Sequence, residues 1–226
     1  MGLHVYCVVP APHPVPDDCT GLDGVRPRAV PADGLALWVT GHDEPVAASI
    51  AALRVHNRVV SAAMTTEVTP VPVRFGQWFA TEAEAVDRVR ADGAKWVGLL
   101  GRFAGRAEYG IRVMVPDRYT ERDVHTTAVE SGREYMAALA RKQAHAVRRR
   151  AEAERIAELI EARAGGLVAD RRVEHGGAGE QLVSVAHLVA WSDTAAYHGA
   201  TEGISEALGE ARIVLTGPWP PYSFVE

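Results

Sequence analysis

The residues with the clearest chemical potential are nine histidines and two cysteines. His42-Asp43-Glu44 places three potential metal ligands in a row, but adjacent side chains point in different directions and rarely converge on one ion. The chain contains no Cys-x-x-Cys, His-x-x-x-His or Glu-x-x-His spacing. The sequence therefore predicts neither a metal site nor a bound cofactor.

Catalytic and phosphate-binding motifs are equally hard to find. The stretch Gly98-Leu-Leu-Gly-Arg-Phe-Ala-Gly105 has suitable glycines, but it closes a predicted helix instead of joining a strand to a following helix. Ser61, Ser131, Ser184 and Ser205 occupy no nucleophile elbow. We therefore predict that the protein is not an enzyme. The alternative, a small-molecule-binding α+β protein or an enzyme of unknown substrate, would need convergent polar groups in a pocket.

The charge pattern argues against nucleic acid and membrane partners. The formal net charge is -5, which gives no general attraction to nucleic acid or anionic lipid. In the one basic run, Arg148-Arg-Arg150, Arg148 is predicted to pair with Glu152 and Arg150 with Glu154 at helical i,i+4 spacing. These pairs would largely neutralise the charge of the run. No run approaches the ~18 apolar residues of a membrane span, and the N-terminus lacks the features of a signal peptide. We expect a cytoplasmic protein.

One arginine stands in an otherwise apolar, proline-stiffened segment, Pro70-Val-Pro-Val-Arg-Phe-Gly-Gln-Trp-Phe79. A buried, unpaired charge is costly, so Arg74 is expected to pair with a carboxylate, for which Glu67 or Glu108 could serve. The alternative is that Arg74, with its neighbour Phe75, contacts a ligand. The sequence favours the structural role.

The elements that must position these residues begin with an α+β pattern. Apolar and β-branched runs predict a strand at Leu3–Val9, and a strand at Val25–Val30 that pairs across Asp33-Gly34 with a strand at Leu35–Thr40. Helical spacing and capping residues then predict a helix from about Pro45 to Met64 and another from Thr81 to about Phe103. Between the two helices, prolines predict an extended segment at Val68–Phe75. Together they predict an N-terminal α/β-type domain over residues 1–105.

From Ile111 onward the pattern becomes regular. It predicts a strand at Ile111–Val115, a helix from Thr120 to Gly165-Gly166, strands at Leu167–Glu174 and Leu182–Trp191, a helix from Ser192 to about Gly209, and a strand at Arg212–Leu215. That order is β-α-β-β-α-β, the arrangement of ferredoxin-like domains, with both helices on one face of an antiparallel sheet. We predict a C-terminal ferredoxin-like domain over residues 106–226, with an aromatic and proline-rich tail at 216–226.

Several stretches together resemble the gas vesicle protein F/L family. They follow the family order over nearly the whole chain: Tyr6 through Ala11, His56-Asn57, Pro72-Val-Arg-Phe-Gly76, Gly105-Arg-Ala-Glu-Tyr-Gly-Ile-Arg-Val113, Gly132 with Tyr135, and Thr216-Gly-Pro-Trp-Pro-Pro-Tyr-Ser-Phe224. Cys7, where the family would have glycine, and Gln77-Trp78 depart from the pattern. The resemblance implies a two-domain α+β accessory protein for gas vesicle assembly. It would bind the small hydrophobic shell protein and other accessory proteins, associate with gas vesicles, and lack enzymatic activity.

The tail stands out because chain ends are usually frayed and polar. Pro218, Pro220 and Pro221 stiffen the segment, and its aromatic side chains Trp219, Tyr222 and Phe224 can each bury ~150–250 Å². We expect the tail to be a docked strap. The groove that receives it belongs either to the protein itself, at the interface of the two domains, or to the shell protein, which the released strap would cover.

Overall fold

The computed structural model of the protein describes residues 1–115, 132–176, 180–208 and 211–225. It contains two antiparallel sheets accompanied by helices, which confirms the predicted α+β class. By internal contacts the chain divides into two compact units. The first comprises Met1–Glu108, Leu188–Trp191 and Gly217–Glu226, and the second comprises Tyr109–His187 and Ser192–Thr216. The predicted boundary at residue 105 stays a prediction, but the tail is grouped with the first unit by these contacts.

The first sheet is built around its earliest strand, β1 (Gly2–Pro10). Its neighbours are β2 (Arg28–Ala32), β3 (Leu35–His42), β4 (Val71–Pro72) and β5 (Trp78–Phe79), in the order β2-β3-β1-β4, with β5 also paired to β1. Because β1 is central and covered on both faces, it is buried along nearly its whole length and is mostly apolar, with His4 as its one buried imidazole.

The β2–β3 hairpin confirms the predicted pairing across Asp33-Gly34. Ala32 pairs with Leu35, and Asp33 and Gly34 both have positive φ angles, of 50° and 80°. A two-residue loop with positive φ at both positions matches the twist of the flanking strands. The hairpin is therefore specified locally by these two residues.

Three helices belong to the first unit: α1 (Ile50–Ala62), α2 (Glu82–Ala91) and α3 (Gly93–Phe103). The expected start of α1 near Pro45 was wrong, because the Ser49 side chain caps the helix by accepting from the Ala52 N–H. Thr81 caps α2 as predicted. The single helix expected through Phe103 is broken at Asp92, whose φ and ψ angles of -103° and 19° are not helical.

The second sheet has the order β7-β8-β6-β9. Its elements are β6 (Arg106–Met114), α4 (Gly132–Ala164), β7 (Val168–His175), β8 (Gln181–Ala190), α5 (Thr194–Ala207) and β9 (Arg212–Trp219). Element order and strand order together are those of a ferredoxin-like sheet, as predicted, and α4 and α5 contact each other. The predicted start of the long helix at Thr120 lies outside the described residues, as does part of the turn predicted at His175–Gly179.

Two boundaries in this half differ from the prediction because strand pairing extends past the local signals. β6 begins at Arg106, directly after Gly105, whose φ angle of 68° turns the chain out of α3. β9 continues through Gly217 and Pro218 to Trp219. The residues from Arg106 to Gly110 therefore form strand, where the sequence predicted a strand only from Ile111.

The buried side chains of the second unit come from the sheet, from α5 and from one end of α4. On α4 they are spaced by three or four residues, as expected for a helix face that packs on a sheet. They are Ala153, Ile156, Ile160 and Ala164 on α4, together with Ile111, Val113, Val183, Val185, Tyr197 and Ile204. All four buried residues of α4 lie in its second half.

Candidate functional site

The C-terminal segment leaves β9 through a short, proline-rich turn. Gly217 has a φ angle of 122°, which only glycine adopts readily. Pro220 and Pro221 are buried, and a turn of 3-10 helix follows over Tyr222–Phe224. The segment is therefore docked at Pro220, Pro221 and Phe224, while Trp219 and Ser223 stay exposed.

Phe224 anchors the segment. Its side chain is completely buried, and the guanidinium carbon of Arg102 lies 6.0 Å from the centre of its ring. An arginine over an aromatic face adds a cation–π attraction to the apolar burial. Phe224 therefore holds the tail by apolar burial and by this cation–π contact.

Tyr222 packs on the core of the first unit. That core, here called the first core, combines β1 and β3 with α1 and comprises Tyr6, Cys7, Val9, Leu22, Ala36, Trp38, Val59, Val60 and Ala63. The Tyr222 hydroxyl is buried and has no hydrogen-bond partner within the described part of the chain. Burial raises the pKa of Tyr222, and the nearby Cys7 and Glu108 raise it further.

Glu108 fixes the turn that carries Tyr222 and Phe224. Its carboxylate accepts from the Ser223 backbone N–H at 2.9 Å and from the Ser223 hydroxyl at 2.7 Å. Burial raises the pKa of Glu108, while the two bonds from Ser223 act in the opposite direction. Glu108 therefore forms its hydrogen bonds with the tail, whereas the sequence analysis had considered it as a buried carboxylate partner of Arg74.

Trp219 behaves differently from the other two aromatic residues of the tail. It is 41% exposed, although it lies next to the buried Pro220. The three predicted tail residues are therefore divided: Tyr222 and Phe224 hold the segment in place, and Trp219 presents an indole ring to solvent. Aromatic type alone does not separate them, although only Trp219 lies between two prolines.

The expectation that Arg74 is a buried ion was wrong, because its side chain is exposed. β4 covers only Val71–Pro72, and the chain then turns at Gly76, whose φ angle is 93°. Arg74 lies between these points and faces outward. Its neighbour Phe75 turns inward, where it packs against the first core.

Phe75 covers a pair of buried histidines that the sequence analysis did not single out. Its ring centre lies 5.2 Å from that of His4 and 5.6 Å from that of His56. His56 Nε2 donates to the Val73 carbonyl at 2.9 Å, so its Nδ1 must accept from His4 Nε2, also at 2.9 Å. His4 Nδ1 is then a buried acceptor without a partner among the described residues.

Burial determines the protonation of this pair. It lowers the pKa of His4 to about 3, an effect strengthened by His56 and then His42. It also lowers the pKa of His56, against the hydrogen bond to Val73. Both imidazoles are neutral at physiological pH, so they form a structural link between β1 and α1. The one hint of this pair in the sequence was His56, which belongs to the His56-Asn57 stretch of the family resemblance.

A second polar chain runs beside the pair. The Leu22 N–H donates to the Tyr6 hydroxyl at 2.9 Å, which bonds to Thr40 Oγ1, also at 2.9 Å; Thr40 Oγ1 bonds to His42 Nε2 at 2.8 Å. His42 Nδ1 faces the Asp23 carboxylate at 3.3 Å. Every polar group in this chain has a partner, as buried polar networks require. The arrangement ties β1 and β3 to the loop before β2.

Two shallow cavities accompany these features. One, of about 590 Å³, includes Asp23, His42 and Glu44 among its lining residues. The other, of about 490 Å³, lies between α4 and the strands β7 and β8, and is lined in part by Arg171 and His187. No group of three or more His, Cys, Asp or Glu side chains in the described ranges is arranged to hold a metal ion.

The expected charge pairing on α4 is only half correct. Arg150 bonds to Glu154 at 3.0 Å, as predicted. The expected pair of Arg148 with Glu152 was wrong, because both Glu152 oxygens accept from Arg155, at 2.8 Å and 3.0 Å. An i,i+3 arginine replaced the i,i+4 arginine as the partner of this acid.

Comparison with solved structures places this fold beside two gas vesicle proteins. The chain superposes on the crystal structure of gas vesicle protein GvpF from Microcystis aeruginosa with a TM-score of 0.78, covering 100% of this chain and 99% of that one. For GvpF from Anabaena sp. PCC7120 the TM-score is 0.82, with coverage of 100% and 96%. Both are 19% identical in sequence to this chain, so they show the fold alone.

Sequence comparison assigns the family. The chain is 29% identical over 253 aligned positions to gas vesicle protein L of Streptomyces sp. (strain CB03234), covering 98% of this chain and 91% of the relative. It is 25% identical over 178 positions to gas vesicle protein F2 of Halobacterium salinarum, covering 78% and 69%. Among the described residues, no helix combines the length and apolarity that a membrane crossing would need. The family model described as gas vesicle synthesis protein GvpL/GvpF matches residues 2–226, and the chain therefore belongs to the GvpL/GvpF family, whose members have an accessory role in gas vesicles.

Proposed function

We propose that this protein is needed for gas vesicle formation and binds the small hydrophobic shell protein during assembly. It acts in the cytoplasm, alongside other gas vesicle accessory proteins, and performs no catalysis. The family match over residues 2–226 supports the gas vesicle role. The names of the matched relatives state only that they are gas vesicle proteins. The shell-protein contact is our inference.

The physical need for such a partner follows from the shell protein itself. A protein whose assembled inner surface repels water must expose apolar surface before it is assembled. Large exposed apolar patches and unpaired strand edges aggregate. A partner that covers this surface needs a preformed apolar contact and no chemistry. An accessory protein of the present kind meets that need.

The observation that carries the proposal is Trp219. Its indole ring is 41% exposed, yet it is held between two fixed points, β9 on one side and the docked turn of Tyr222–Phe224 on the other. The Glu108 carboxylate secures that turn through Ser223. A rigidly held tryptophan loses little conformational entropy on binding, and tryptophan is enriched in the residues that dominate interfaces. We infer that Trp219 contacts the shell protein.

The experiment is co-elution of the purified full chain with the shell protein, together with the turbidity of the shell protein alone and in the mixture. Wild-type protein should co-elute and suppress the turbidity. Trp219→Ala should weaken both effects at least tenfold while the thermal melt stays close to that of wild type. Val97→Ala, which shortens another exposed apolar residue on α3, is the matched control and should behave as wild type.

Two results would contradict the proposal. If wild-type protein neither co-elutes with the shell protein nor suppresses its turbidity, the shell-protein partnership is wrong. If Trp219→Ala and Val97→Ala both bind like wild type, the partnership stands, but the contact lies on another surface. The two failures are distinguishable because the first is measured without any variant.

A further inference from the structure

The long helix α4 extends past the sheet on which it packs. It has 33 residues, whereas β7 and β8 have 8 and 10. At about 1.5 Å per helical residue and 3.3 Å per strand residue, α4 is roughly 50 Å long and the strands roughly 26–33 Å. Its second half supplies the buried residues Ala153, Ile156, Ile160 and Ala164. Because α4 is longer than the strands, its first half extends beyond the sheet and is not covered by it.

Apolar residues on this first half are exposed, with exposed fractions between 37% and 68%. We call them the α4 strip; they are Tyr135, Met136, Leu139 and Val147. At about 100° per residue they fall within a sector of about 120°. The half-buried Ala138 and His145 mark the side of the helix that faces the protein, and the centre of the strip points about 120° away from that side. The strip is therefore an apolar face turned outward.

Basic side chains border the α4 strip. On the helical wheel Lys142 lies about 20° outside one edge and Arg133 about 40° outside the other, whereas Arg141 and Arg148 lie on the far side, about 180° and 160° from the centre of the strip. All four are exposed, and Glu152, the expected partner of Arg148, is bonded to Arg155. Residues 132–150 hold six basic residues (133, 141, 142, 148, 149 and 150) against one acid (134), a net charge of +5 in a chain whose net charge is -5. The positive charge is concentrated on this half of α4, and Lys142 and Arg133 place part of it along the two edges of the strip.

We propose that the α4 strip is a docking surface for an amphipathic α-helix of a partner protein, one whose apolar stripe is bordered by acidic side chains. From Tyr135 to Val147 the strip runs about 18 Å along a straight helix, a little over three turns, and it is narrow. A second helix laid against it would match both dimensions. Acidic residues beside the partner's stripe would meet the basic border.

The charges select this occupant over the others. A second copy of the chain would bring the same basic border to the contact, and like charges oppose each other across an interface. An anionic lipid surface would be repelled by the remainder of a chain whose net charge is -5. Nucleic acid would satisfy the basic residues but would leave the strip uncovered. The strip does not include Trp219, and this inference does not depend on the shell-protein proposal.

The test uses two synthetic fluorescent peptides of about 18 residues with identical leucine stripes. One carries glutamate on both sides of the stripe and the other carries lysine. Fluorescence anisotropy with the full chain should give a dissociation constant in the range of tens of micromolar for the glutamate peptide, as suits a small interface. Binding should weaken as salt is added, because exposed charges are screened. The lysine peptide should bind at least tenfold more weakly.

Variants then locate the contact. Met136→Ala with Leu139→Ala, and separately Lys142→Glu, should each weaken binding of the glutamate peptide at least tenfold without lowering the thermal melt. Val97→Ala and Arg54→Glu are the matched controls, since both change exposed residues on other helices, α3 and α1, and both should bind as wild type does.

Any of three outcomes overturns the proposal. Equal binding of the two peptides would show that charge does not select the occupant. No binding of the glutamate peptide by the full chain would show that another occupant, such as a segment of this chain or a second copy, already covers the strip. Capture of the protein by phosphatidylglycerol vesicles, abolished by Lys142→Glu, would identify a lipid surface as the occupant.

Discussion

The C-terminal segment and the first half of α4 both carry large apolar side chains, and the protein treats them in opposite ways. In the tail, Phe224 is completely buried and Glu108 holds the neighbouring Ser223 with two hydrogen bonds. On α4, Tyr135 and Met136 are more than half exposed. Apolar composition alone therefore does not decide burial. A docked segment also needs a cavity of matching shape and a polar group that fixes its backbone.

The most severe test of this comparison is Phe224→Ala. The substitution removes a fully buried ring, so the free energy of unfolding should fall by about 3–5 kcal/mol. Urea unfolding followed by tryptophan fluorescence measures the loss. A variant as stable as wild type would mean that the tail contributes nothing to the first core, and the contrast with α4 would disappear.

Acid should weaken the core on which the tail packs. His4 has a pKa of about 3 in the folded protein against an ordinary value of 6.5, so below about pH 6.5 the unfolded chain binds a proton that the folded chain does not. Stability is therefore present above pH 6.5 and is lost as the pH falls toward 3. Between pH 7 and pH 5 the loss from His4 should be about 1–2 kcal/mol.

Urea unfolding at the two pH values, in wild type and in His4→Gln, isolates this contribution. The raised pKa of Glu108 acts in the opposite direction, because protonation relieves the cost of burying its charge, but it is common to both proteins. The pH-dependent loss should be smaller in His4→Gln than in wild type. An equal loss in the two proteins would contradict the assignment to His4.

A smaller effect is expected at the hydrogen bonds that fix the tail. Ser223→Ala removes the hydroxyl donor to Glu108 and keeps the backbone donor, so the free energy of unfolding should fall by about 1 kcal/mol. Ser192→Ala, which removes an exposed hydroxyl bonded to Asp193 at 3.2 Å, provides the control. A Ser223→Ala protein no less stable than this control would show that the Glu108 contact does not hold the tail.

The smallest change in the free energy of unfolding is expected for a substitution in the α4 strip. Leu139→Ala shortens an exposed side chain on a part of the helix that the sheet does not cover, so stability should change by no more than about 0.5 kcal/mol. Urea unfolding at pH 7 checks this. A loss above about 2 kcal/mol would mean that the strip is part of a core, and the comparison with the tail would fail.

Local signals were enough to predict much of the fold. The hairpin at Asp33-Gly34, the Thr81 cap and the β-α-β-β-α-β order were all readable, because each depends on residues close together in the sequence. The errors arose where distant residues decide. Pairing extended β6 back to Arg106, and Arg74 became exposed because β4 is only two residues long.

The candidate site was harder to predict for the same reason. The sequence pointed to Trp219, Tyr222 and Phe224 as a group, but their division into buried and exposed members depends on the shape of a core made largely from the first hundred residues. The contact between His4 and His56 joins a strand to a helix 52 positions away. No spacing rule within one element could have revealed it.

The first unit also closes late during synthesis. It needs Gly217 and the residues after it, which follow Glu108 only after residues 109–216, or 108 positions, have been made. At the usual ~5–20 residues per second this takes roughly 5–22 s. Throughout that interval the apolar surface beside Tyr6 and Cys7 that Tyr222 later covers stays exposed. The nascent chain therefore tends to associate with other apolar surfaces before synthesis ends. Slower translation of residues 109–216 would lengthen the time for which this surface is exposed, and faster translation would shorten it.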